Sequence, residues 1–98
     1  MTGAVAVSVG LSTSFTVTAS PDFVEAVAPA VTGFVTATPQ GGFAPYTYLW
    51  TRQSGAGTAL SPTSASTRFS ESSGTWVCVV TDSAGRASNS NTVSVEIS

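Results

Sequence analysis

Few side chains in this chain can move protons, bind metals or attack a substrate, and their spacing decides what chemistry is open to them. The acidic groups are Asp22, Glu25, Glu71, Asp82 and Glu96, the basic ones Arg52, Arg68 and Arg86, and Cys78 is the single thiol; histidine and lysine are absent. Without histidine there is no imidazole base, no Ser-His-Asp arrangement and no imidazole metal ligand. Without lysine, Ser-Lys dyads and Schiff-base chemistry fall away. Asp22 with Glu25, and Asp82, are the candidates for a calcium site, but scattered carboxylates fall short of the roughly six to eight oxygens that calcium takes. Cys78 lies inside "GTWVCVV", an apolar stretch where burial raises a thiol's pKa and leaves it inert. "GGFAPY" leads into a strand, with no helix N-terminus to hold a phosphate. The expectation is a non-enzymatic protein with no cofactor and no metal, whose work is binding or assembly.

The bulk numbers point the same way. The 98 residues suit one domain, 42% of them are hydrophobic, and only 8% are charged, against about 25% in a typical soluble domain. Net charge is −2 with scattered arginines, which leaves no basic stripe for a phosphate backbone and no patch for an anionic membrane. Neither nucleic acid nor membrane is an expected partner. So low a charge fits a hydroxyl-coated extracellular domain, and equally a subunit covered by its neighbours, because interface cores are poor in charge. One cysteine excludes an intramolecular disulfide. "MTGAVAVSVGLSTSF" has no positive n-region and alternates apolar with small polar residues, unlike a signal peptide or a membrane span. With an initial methionine and no N-x-S/T sequon, the chain is expected to be a complete small gene product.

The elements that must position these residues are strands. No run repeats at i, i+3, i+4, i+7, whereas period-two runs recur between turn-forming clusters. Val5, Val7 and Val9 alternate in the first run, and Phe15, Val17 and Ala19 in the second. Pro21 in "SPDF" marks a turn or kink, since it cannot donate to a central ladder. "VTGFVTATP" breaks at Pro39-Gln40-Gly41-Gly42, and "YTYLWTRQ" ends at Ser54-Gly55-Ala56-Gly57. "ALSPTSASTRFS" supplies one or two short edge strands around Leu60 and Phe69. "GTWVCVVTDSAG" is the clearest strand, apolar on both faces from Trp76 to Val80, as a central strand between packed layers would be. Its closing turn has Asp82 placed to bond the backbone ahead and Gly85 free to take positive φ. Val93, Val95 and Ile97 share one face of the last run. About seven to eight short antiparallel strands with regular turn signals predict an all-β, two-sheet sandwich.

From Val31 to Ile97 the stretches "VTGFVTATPQGG", "PYTYLWT" and "SGTWVCVVTDSAGRASNSNTVSVEI" resemble the immunoglobulin-like superfamily. They resemble in particular the Ig-like and PKD-like modules of bacteriophage virion proteins and bacterial surface proteins. The resemblance places Val35 where an immunoglobulin carries its first cysteine, Trp50 at the core tryptophan and Cys78 at the second cysteine. It implies a disulfide-free pin built from Val35, Trp50 and Cys78, flanked by Trp76 and Val80. Trp76 stands where a tyrosine often makes a corner hydrogen bond, and an indole N–H can donate but not accept.

On this basis residues 13–98 form the Ig-like domain and residues 1–12 an N-terminal arm or added strand. Tyr46, Tyr48 and Trp50 share one face of their strand, with Leu49 on the other. That strip is either core or a platform for stacking sugar rings, and an inward Trp50 favours core. Contact residues are then expected at Val5, Val7, Val9 and Leu11 of the arm and at Phe43 in its glycine-rich loop. The resemblance implies a structural virion protein, made in the host cytoplasm, that decorates or cements a phage capsid, or less readily a tail. Its partners would be capsid or tail subunits in a homo-oligomeric or multi-copy assembly. The alternative is an adhesion or carbohydrate-binding module displayed on a cell surface.

Overall fold

The computed structural model describes residues 14–98, so the expected arm over residues 1–12, with Val5, Val7, Val9 and Leu11, lies outside the described residues. Among the described residues there is no helix, and the strands run in the order β1 (Thr16–Ser20), β2 (Phe23–Ala26), β3 (Val35–Gln40), β4 (Thr47–Gly55), β5 (Thr58–Ala59), β6 (Ser66–Thr67), β7 (Phe69–Ser70), β8 (Gly74–Thr81), β9 (Ala87–Asn89) and β10 (Val93–Ile97). The protein is an all-β sandwich of the Ig-like type, and its one cysteine is free and buried.

β8 organises the larger sheet. β4 lies antiparallel along one of its edges, from Thr47 opposite Thr81 to Gly55 opposite Gly74, with a bulge between Arg52 and Ser54. The other edge is shared by β9, which pairs residues 79–81, and β10, which pairs residues 74–76. β1, β3 and β6 form the second sheet, and β5 with β7 makes a two-stranded ribbon. Alternation explains which side chains go inward: on β8 Trp76, Cys78 and Val80, on β10 Val93 and Val95, on β3 Val35 and Ala37. Val77, on the opposite face of β8, is buried as well, outside that cluster.

The first strand changes sheets at the predicted kink. β1 pairs antiparallel with β3, and after Pro21 and Asp22 the chain continues as β2, parallel to β10. Among the described residues this is the one parallel pair, and the other strand pairs are antiparallel. The segment between β9 and β10 fastens the crossing through a side chain. Asn91 accepts from the Ala19 N–H at 2.8 Å and donates its amide to the Ala19 carbonyl at 3.1 Å, so one side chain stands in for a neighbouring strand residue. Beside it, Ser90 Oγ accepts the Cys78 N–H at 2.8 Å.

Between the sheets the core is aromatic. Phe69 is 1% exposed and bridges the two tryptophans, edge-on to Trp50 at 5.9 Å and tilted against Trp76 at 5.1 Å. Such ring pairs add about 0.5–1.5 kcal/mol each beyond the area they bury. The Trp50 indole N–H donates to the Ser64 carbonyl at 2.9 Å, so burying it leaves no donor unpaired. Thr32 satisfies the backbone around Phe69 in the same way, accepting the Phe69 N–H at 3.0 Å.

Candidate functional site

The loop over residues 41–46 and the turn over residues 82–86 meet at one pole of the sandwich. β8 delivers Asp82 there, with a side chain almost wholly buried. Its Oδ1 accepts the N–H groups of Ala84 at 3.1 Å and Arg86 at 2.9 Å, which closes the turn. Gly85 takes the positive φ that this turn requires, at 89°. Oδ2 receives the Arg86 Nε–H at 3.2 Å and, from the facing loop, the Phe43 N–H at 3.3 Å. The Ser83 N–H answers by donating to the Phe43 carbonyl at 2.8 Å. Burial alone would raise the Asp82 carboxyl, but the Arg86 N–H, the Arg86 guanidinium and the Phe43 N–H outweigh it, and its pKa lies below the ordinary value. One carboxylate therefore locks both loops.

Above this anchor sit rings and a cation. The Arg86 guanidinium lies 5.7 Å from the centre of the Phe15 ring and 5.6 Å from that of Phe43. Phe15 stacks on Tyr46 at 6.0 Å, and the Tyr46 hydroxyl donates to the Gly41 carbonyl at 2.6 Å. Gly41 must be glycine, because a Cβ there would fall 1.8 Å from the Ser14 carbonyl oxygen. Phe43 is 54% exposed and the Arg86 side chain 39%. The pole thus presents an aromatic ring and a guanidinium held in place before any partner arrives. Phenylalanine and arginine are both enriched in protein interfaces relative to the rest of the surface.

The other singled-out residues lie elsewhere. Val35, Trp50, Trp76, Cys78 and Val80 are in the core, Tyr46 and Tyr48 pack against it half-buried, and Leu49 is exposed on the opposite face of β4. Burial pushes the Cys78 thiol up to about 11, against a smaller lowering by a backbone hydrogen bond at Leu49. Asp22 precedes β2 and Glu25 lies within it, where β2 pairs with residues 94–97 of β10, and no cluster of three or more metal-ligating side chains forms among the described residues. Sequence reasoning missed Arg86 and Phe15 as partners of Phe43. The available signal was the i, i+4 spacing of Asp82 and Arg86 across "DSAGR", which a turn brings into ion-pair range at 3.1 Å.

Residues 28–55 match the family described as the SprB repeat. The matched segment holds β3, the loop over residues 41–46 and β4, that is, the loop bearing Phe43 with the two strands that support it. No curated protein matches the chain.

Proposed function

We propose that this chain is a non-enzymatic adhesion module displayed at a cell surface, making contact through the pole that carries Phe43 and Arg86. The observation that carries the reading is the SprB-repeat match over the loop and its two supporting strands. It favours a surface-displayed module over a capsid or tail subunit, for which the comparisons offer no support. The preset pole fits this role: a ring and a cation fixed by Asp82 lose little conformational freedom on binding. Hydroxyl-rich, charge-poor sheets around it suit a domain that stays in solution on display.

The test is retention of beads coated with the full chain on bacterial cells, polysaccharide-coated glass and protein-coated glass under flow. The coated beads should hold to at least one of these surfaces beyond bare beads. Phe43→Ala should then weaken retention about tenfold, the loss expected of an exposed hot-spot ring, with no change in the folded circular-dichroism spectrum. Coated beads that never exceed bare ones would remove the adhesion reading, and full retention by Phe43→Ala would remove the pole from it.

A further inference from the structure

The outer face of the five-stranded sheet carries a row of side chains across four strands, at the pole opposite the loops. The registers set Ser54 against Thr75, Thr75 against Ser94, and Ser94 against Phe23. Their chain neighbours Trp76, Val93, Val95 and Val24 belong to the core, so alternation turns the row outward. Ser73 and Glu96 stand beyond it, and Gly55 and Gly74 interrupt it, leaving a groove of about 490 Å³. The bare floor is a steric requirement. A Cβ on Gly74 would lie 2.7 Å from the Ser54 carbonyl oxygen, and one on Gly55 2.6 Å from that of Ser73.

The groove's chemistry is specific. Phe23, 48% exposed, supplies an aromatic wall. Ser54 and Thr75 share a hydrogen bond of 2.5 Å, and the Ser73 hydroxyl is engaged by the Ile97 backbone. The Ser94 hydroxyl and the Glu96 carboxylate have no hydrogen-bond partner among the described residues. Glu25 lies beside Glu96 in the register of β2 with β10. No lysine or arginine lines the groove.

We propose that this groove is a subsite for a neutral pyranose sugar. The Phe23 ring lies against the apolar C–H face of the sugar, Glu96 accepts hydrogen bonds from its hydroxyls, and Ser94 both donates and accepts. Two carboxylates with no cation repel uronic or sialic acids, so the sugar is uncharged. The volume falls within the roughly 300–1,000 Å³ of small-ligand sites. The platform is not the Tyr46–Tyr48–Trp50 strip, whose tryptophan is committed to the core. The inference goes beyond the contact pole: it rests on the reading as a surface-displayed module and adds a second, sugar-binding site at the other end of the body.

The experiment is an NMR titration of the full chain with maltose, cellobiose, lactose and N,N′-diacetylchitobiose, with choline and glucuronic acid as controls. At least one neutral sugar should shift the amides of Phe23, Thr75 and Ser94. Phe23→Ala and, independently, Glu96→Gln should each weaken that sugar about tenfold, the scale of one lost aromatic or charge-assisted contact. Both sites are exposed, and thermal melting checks that the variants remain folded. Groove shifts with choline alone would overturn the sugar assignment in favour of a cation. Beads that adhere while no sugar moves the groove amides would overturn it and leave the adhesion reading standing. Failure of both assays removes both.

Discussion

Asp82 shows how a single residue can hold a binding pole in shape. Its carboxylate collects two turn N–H groups, one loop N–H and a guanidinium. Because the folded pKa is below the unfolded one, its contribution to stability is complete above the unfolded value of about 3.9 and is lost as pH falls through the depressed folded value. Asp82→Asn should therefore melt earlier than wild type at about pH 7, with the gap narrowing at about pH 3, below the unfolded value and toward the depressed folded one. Thermal melts at the two pH values check this, and a gap that widens in acid would contradict the assignment. Ser94 and Glu96 illustrate the opposite condition, side chains with no hydrogen-bond partner among the described residues.

At the scale of elements, alternation made much of the fold legible, and the unread parts share a physical cause. β10, β3 and β4 carry apolar residues at period two and β8 a continuous apolar run, and these strands stand out on sequence alone. A short strand around Phe69 is legible too, but its place in the core is not, since its chain neighbours Arg68 and Ser70 are polar and define no apolar face, yet it bridges both tryptophans. Pro21 announced a kink, but which sheet the chain joins afterwards depends on the β10 edge, settled by residues at the far end of the sequence. The groove was hidden for the same reason: Phe23, Ser54, Thr75 and Ser94 are adjacent only through three strand registers. Asn91 shows how such a long-range arrangement is fastened. Asn91→Ala strips the buried Ala19 N–H and carbonyl of their partners and should cost about 1–3 kcal/mol, read from urea unfolding. A loss under about 0.5 kcal/mol, the range of an ordinary surface substitution, would show that the clamp contributes nothing.

On the scale of the whole molecule, the described chain enters at one pole and leaves at the other. Ser14 lies against Gly41 beside the Phe43 loop, while Ser98 bonds to Ala26 and Ala28 at the far end. The Phe43 pole and the Phe23 groove therefore occupy opposite ends of the body. β2 and β10 are parallel and both run from the first pole toward the second. In the proposed adhesion role the domain is a tether, and tension drawn between Ser14 and Ser98 acts along this strand pair. The bonds between β2 and β10 are then loaded in shear, all at once, whereas a hairpin pulled from its open end unzips one bond at a time. Single-molecule pulling through the two ends should give one abrupt rupture, and gradual low-force peeling would contradict it. The sheet-switching first strand thus makes the domain a shear-loaded mechanical element along the line that joins Ser14 and Ser98.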